Sequence, residues 1–159
     1  MLAKIDKASL IAALCADLAE KQRTLEASAA AARDAATHEE SKPENDKDTR
    51  ALEASYLAGA QAGRARELKA LQNALSFLPL RAFAAGDAIA EAALVEVHGG
   101  GRKSVYFIAP HGGGLKARVA GVDVTVIAPD APLGQALVGK CAGDEVEANG
   151  RALTIVAVR

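Results

Sequence analysis

The sequence predicts an α+β protein, with an N-terminal antiparallel α-helical coiled-coil hairpin over residues 1–79 and a C-terminal antiparallel β domain with one short helix over residues 80–159. Three observations carry this. A long segment without proline or glycine is rich in helix formers. A second such segment follows a proline-marked break and mirrors its apolar spacing. After Pro79 the pattern changes to short β-type runs punctuated by glycines.

The first helix is expected from about Lys7 to Thr37, where Ala, Leu, Glu, Lys and Arg dominate and Ser9 is the expected N-cap. Its apolar positions Ile11, Leu14, Leu18, Leu25, Ala32 and Ala35 fall close to a seven-residue repeat. Ser41-Lys42-Pro43 breaks the pattern, because proline lacks the amide donor a helix needs. Helical composition resumes near Glu44 or Asp46 and runs to Phe77, with Leu68, Leu71, Leu75 and Leu78 repeating the spacing. If the chain reverses about residue 43, facing residues have numbers summing to about 86, so Leu18 meets Leu68, Leu14 meets Leu71 and Ile11 meets Leu75. The same sum sets Ala27 to Ala32 against Gly59, Ala60, Ala62 and Gly63, small against small. Each arm would be roughly 45 Å long.

In the second half, Ala92 to His98 and Ser104 to Ile108 flank the turn His98-Gly99-Gly100-Gly101-Arg102 as a hairpin, and Val122 to Ile127 alternates in the same way. Pro132 to Val138 reads as a short helix opened by proline and closed at Gly139. Glu145 to Ala148 and Ala152 to Val158 flank Asn149-Gly150, a strong two-residue hairpin signal.

Composition narrows the function. A net charge of -1 disfavours duplex binding, so any DNA affinity is expected to be weak. With 3% aromatic residues and no Trp, stacking platforms and aromatic-lined pockets are hard to build. Cys15 and Cys141 fit no metal-ligand spacing and read as free thiols of a reducing cytoplasm. No run of 18 apolar residues is present, so a soluble cytoplasmic protein without a membrane partner is expected.

Two near-motifs carry no chemistry. Gly134 to Cys141 nearly spells a phosphate-binding loop, but its last position needs a hydroxyl for Mg²⁺ and the stretch reads as helix. The glycine runs after His98 and His111 resemble an esterase oxyanion loop, yet no nucleophile elbow accompanies them. His38 has no second His or Cys at ligand spacing. From Asp34 to Asp48, however, Asp34, Glu39, Glu40, Glu44, Asp46 and Asp48 outnumber Lys42 and Lys47, leaving about -4 at the hairpin bend. Such a cluster is a solvated turn by composition alone, and it also has the donor type a weakly held Mg²⁺ takes.

The stretch Ala131-Pro132-Leu133-Gly134-Gln135-Ala136-Leu137-Val138-Gly139-Lys140, followed by Gly143-Asp144, resembles the C-terminal domain of the GreA/GreB transcript-cleavage factor family. Glu44-Asn45 and the run Ala54 to Leu75 with Gly63-Arg64 are similar to the second arm of that family's coiled coil. The resemblance covers most of the chain and is densest from Val122 onward. It implies an FKBP-like β domain docking on RNA polymerase near the secondary channel, through the loop Asp130, Ala131, Pro132 and Leu133. It further implies that the hairpin tip, with candidates Glu39, Glu40, Ser41, Glu44, Asn45 and Asp46, reaches the active centre and touches nascent RNA indirectly. The chain would be a monomer, have no catalytic residue of its own and need no cofactor alone. Glu40 and Glu44 would share a Mg²⁺ with the polymerase active site.

One departure matters. The family's Asp-x-x-Glu-Asn falls on Ser41-Lys42-Pro43-Glu44-Asn45, and a serine hydroxyl brings no charge to Mg²⁺; Glu40 or Glu39 would have to reach instead. Two versions therefore stand: an elongation modulator that stimulates cleavage of backtracked RNA, and a non-cleaving competitor for the channel. From other classes stand an FKBP-like prolyl isomerase, for which this half offers only Phe83, Tyr106 and Phe107, and a coiled coil paired between chains.

Overall fold

The computed structural model describes residues 1–37 and 49–159, with the side chain of Ala36 excepted. A 3₁₀ turn, Leu2–Lys4, precedes helix α1, Lys7–Thr37. Helix α2 is described over Arg50–Ser76, and its expected beginning at Glu44 or Asp46 lies outside the described residues. Contacts group the chain into two units, one of Ala16–Asn73 and one of Met1–Cys15 with Ala74–Arg159.

Asp6 caps α1, and this corrects the expectation for Ser9. The Asp6 carboxylate accepts the Ser9 backbone N–H at 2.9 Å and its hydroxyl at 2.8 Å, while the Asp6 carbonyl accepts the Leu10 N–H. Ser9 is thus the third residue of the helix, donating backwards. Its hydroxyl and N–H hold Asp6 below the ordinary carboxylate value.

In the helical unit, α1 and α2 run side by side. A groove is lined by Gln22, Glu26, Ala29 and Arg33 from one and Ala62, Ala65, Arg66 and Lys69 from the other. On α2 the seam has coiled-coil spacing, with Ala58, Ala65, Leu68 and Leu75 buried and Gln61 and Gln72 half-buried between them. The register is offset from that expected. Ala29 and Ala62 share the groove and Cys15 Sγ lies 3.4 Å from Ser76 Oγ, pairs whose numbers sum to 91 and not 86. The expected value was hung on Pro43 as the point of reversal, whereas side-chain packing along the seam sets the pairing. The glycines also differ from expectation. A Cβ on Gly59 would meet nothing within 4 Å and one on Gly63 only the Arg66 side chain, so the buried small residues are Ala29, Ala58 and Ala65.

The β unit contains strands β1 (Leu94–Gly99), β2 (Arg102–Ile108), β3 (Lys116–Val119), β4 (Val122–Ile127), β5 (Glu145–Ala148) and β6 (Arg151–Val158), with helix α3 (Pro132–Leu137) between β4 and β5. They form one sheet in the order β3-β4-β2-β1-β6-β5. Four pairings are antiparallel, but β2 and β4 are parallel, so the sheet is mixed and not antiparallel throughout. The cause is β3, a four-residue edge strand of alternating half-buried and exposed residues that turns the chain once more before β4. Central β1 is buried from Leu94 to Val97 and apolar there apart from Glu96, which has Lys103 Nζ 3.3 Å from its Oε1. Val95, Val97, Ile108, Val146, Ile155, Leu137 and Ile89 build the core on the α3 side.

Three hairpins turn on two residues with positive φ, the geometry that matches strand twist: Gly100-Gly101, Asn149-Gly150 and Ala120-Gly121. Ala120 holds φ at 50° despite its Cβ, which costs it about 1 kcal/mol. Ala120→Asn is expected to stabilise the protein by about 0.5–1 kcal/mol, read as a raised urea midpoint with unchanged slope.

Candidate functional site

The expected tip residues Glu39, Glu40, Ser41, Glu44, Asn45 and Asp46, and His38 with them, lie outside the described residues. Asp34 is exposed on α1, and among the described residues no group of three His, Cys, Asp or Glu is placed to hold a metal ion. The two cysteines are not joined in a disulfide, and no described helix is long and apolar enough to cross a membrane.

The expected docking segment is well defined. After β4 the chain turns on Ala128, whose carbonyl accepts the Ala131 N–H at 3.1 Å; Pro132 then opens α3. Gln135 ties the turn to the helix, its side-chain amide donating to the Asp130 carbonyl at 2.9 Å and its N–H to the Ala131 carbonyl at 2.8 Å. Asp130 and Pro132 are exposed, and Ala131 and Leu133 half-buried. The glycines and the aspartate of the motif are explained by packing. Gly134 is buried so tightly that a Cβ would overlap the Ala128 carbonyl oxygen. Gly139 and Gly143 adopt positive φ, and the Asp144 carboxylate accepts the Cys141 N–H at 2.8 Å. The near phosphate-binding loop is therefore helix followed by a tight turn, as expected, and its Gly139 N–H is engaged by the Ile89 carbonyl.

Leu133 opens onto a cleft of about 810 Å³ that sequence reasoning did not find. Ser104 and Tyr106 from β2 line it, together with Leu153 from β6 and Asn149 from the turn before it. Arg102 and Arg151 line it as well, both exposed. Gly99, Gly100 and Ala148 complete the lining, and a Cβ on Gly99 would overlap the Leu153 side chain. The usable signal was the strand period: Arg102, Ser104 and Tyr106 alternate and must share one face. The reading of Arg102 and Asn149 as turn residues alone obscured it. The lining thus joins an apolar set, Tyr106, Leu133 and Leu153, to two guanidinium groups. Tyr106 is the aromatic residue here; Phe107 is fully buried and Phe83 lines another cleft, so the aromatic lining that prolyl isomerisation requires is not assembled.

That other cleft, of about 330 Å³, is lined by Ile5, Asp6, Lys7, Arg81, Phe83 and Arg159 among others. Lys7 Nζ donates to the Arg81 carbonyl at 2.6 Å and sits 4.6 Å from the centre of the Phe83 ring, with the Arg81 guanidinium 4.2 Å from the same centre. Burial, then the charges of Arg159 and Arg81, lower the Lys7 ammonium from 10.5 to about 8. Below pH 8 the ammonium is charged in folded and unfolded chains alike and the unfavourable burial is fully felt. Between about pH 8 and 10.5 the unfolded chain keeps a proton that the folded chain has lost, so stability rises with pH in that window. Screening at this half-exposed site reduces the gain to about 1 kcal/mol. The stability of the wild type relative to Lys7→Met should rise by that amount between pH 7 and 10.5 in denaturant titrations.

No family model matches this chain, and no curated protein matches it by sequence. Solved structures do. The GreA factor homolog 1 (Gfh1) of Thermus thermophilus is 16% identical, with 94% of each chain covered and a TM-score of 0.37. Gfh1 of Thermus aquaticus is 19% identical over 92% of this chain and 91% of that one, with a TM-score of 0.37. A further structure described as the transcription factor Gfh1 is 15% identical over 94% and 92%, with a TM-score of 0.38.

Proposed function

We propose that this chain is a Gre-like elongation factor that binds RNA polymerase through its β unit and modulates transcription by presenting residues 38–48 at the secondary channel. The observation that supports this best is that the family-like stretch Ala131 to Asp144 opens on the Asp130–Leu133 turn, and Leu133 lines a cleft with Tyr106, Leu153, Arg102 and Arg151. An apolar anchor flanked by guanidinium groups suits a protein surface bearing apolar and acidic side chains. Two helices with a coiled-coil seam precede this domain in the chain, the order such a factor requires.

The factor turns over nothing alone in this scheme. Glu44 and Glu40 would add carboxylates to a Mg²⁺ held mainly by the polymerase, which then hydrolyses backtracked RNA. Ser41 in place of an acid favours the version that occupies the channel without stimulating cleavage. Stalled, backtracked complexes distinguish the two. RNA shortened by the wild type but not by Glu44→Ala or Glu40→Ala identifies a stimulator. Unshortened RNA with competition against a cleavage-competent factor identifies a modulator, and failure to bind core polymerase at all removes both.

A further inference from the structure

We propose that the cleft of Lys7, Arg81 and Arg159 is a binding site for a small polyphosphate, the di- or triphosphate part of a nucleotide-sized ligand. Three cations from separate parts of the chain converge on it: Lys7 from the first turn of α1, Arg81 from the segment after α2, and Arg159 after β6. None of the three is ion-paired within the described residues. Elsewhere Lys21 pairs with Asp17, Arg64 with Glu67, Lys103 with Glu96 and Arg118 with Asp123. Among the described residues no carboxylate lies within ion-pair distance of Lys7, Arg81 or Arg159. Asp6 lines the cleft too; its Oδ2 accepts from Ser9, and its charge acts on Arg159 and offsets one of the three cations.

The groups are also held in place before any ligand arrives. Lys7 is tied by one bond to the Arg81 carbonyl, and an ammonium has two further donors. Arg159 is fixed by its NH1, which donates to the Leu2 carbonyl at 2.9 Å and the Ile5 carbonyl at 3.3 Å, while the Arg81 guanidinium lies over Phe83. Guanidinium forks in fixed orientation match phosphate oxygens in pairs. Three cations against the one Asp6 carboxylate around about 330 Å³ still leave an excess of positive charge, which suits a compact ligand of several negative charges better than a lone carboxylate. A net charge of -1 gives the chain no overall attraction for a long nucleic acid.

The test is calorimetric titration of the whole protein with pyrophosphate and with ATP at pH 7 and low salt, with amide shifts followed by NMR. Saturable one-to-one binding is expected, with shifts centred on Lys7, Arg81 to Phe83 and Arg159. Arg81→Gln, at an exposed residue, should weaken binding at least ~10-fold with an unchanged circular dichroism spectrum. At pH 8.5 binding should take up protons, because a bound anion restores the charge on Lys7 against Arg81, Arg159 and Asp6. Absence of saturation, shifts centred elsewhere in the wild type, or equal affinity in Arg81→Gln would overturn the assignment. A single-stranded oligonucleotide that binds more tightly than either polyphosphate would overturn the small ligand. None of these outcomes depends on polymerase binding.

Discussion

Gly134→Ala should destabilise the β unit by about 3 kcal/mol or more and abolish retention on core polymerase. The sign makes the test sharp. In a helix, glycine to alanine ordinarily stabilises by up to about 1 kcal/mol, because alanine has less backbone freedom to lose. At Gly134 the new Cβ would overlap the Ala128 carbonyl oxygen and lie 3.0 Å from the Ala128 and Pro129 carbonyl carbons, all backbone atoms that no rotamer change can move. Relief requires α3 to lift away from the turn, which carries Leu133 with it and opens the contact with fully buried Leu137. Gly63→Ala is the internal control. Its Cβ would meet only the end of the Arg66 side chain, at 3.8 Å, so the same substitution should stabilise by roughly 0.5–1 kcal/mol. Denaturant midpoints moving in opposite directions are the expected readout; a stable Gly134→Ala would mean that α3 is not packed as described.

Leu133→Asp should weaken association with core polymerase by about 30-fold or more, corresponding to roughly 2 kcal/mol at an apolar anchor. Leu133 is half-buried and packs against the core beneath α3, so some loss of stability accompanies the change. Arg151→Glu separates the two effects. Arg151 is exposed at the same cleft and takes part in the β5–β6 pairing through its backbone, so reversing its charge should leave the fold intact. It should weaken association about 10-fold and reduce its dependence on salt. If both variants bind polymerase as the wild type does, the cleft is not the docking surface.

The fold was largely legible because its signals are local. Lys7 opens α1 as composition indicates, and Gly100-Gly101 and Asn149-Gly150 occupy the positive-φ turns their residue types favour; the expected end of α1 at Thr37 falls where the described residues stop. Misses occurred where a long-range term decides. Strand β3 carries Lys-Ala-Arg-Val and turns on Ala120-Gly121, neither of which announces an edge strand or a hairpin, and with it the parallel β2–β4 pairing went unseen. Asp6 outcompetes Ser9 as the cap because its carboxylate takes two bonds from Ser9 at once. The helix register could not be had from a proline, since the seam includes Gln61 and Gln72, which an apolar search passes over.

Of the site, the Asp130–Leu133 turn was legible from the motif, whereas Arg102, Tyr106 and Arg151 were not, because strands distant in sequence bring them together. The Lys7 cleft was invisible for the same reason: its three cations are widely separated along the chain.

The most direct test of the central claim is to place a tethered hydroxyl-radical source at the family-like tip. Ser41→Cys, in a chain with Cys15→Ser and Cys141→Ser, would be labelled with an iron chelate and bound to core polymerase. Cuts in polymerase are expected only in segments around its catalytic Mg²⁺, and they should be lost when Leu133→Asp is added. Binding that persists while the cuts fall on the polymerase exterior, or nowhere, would contradict it.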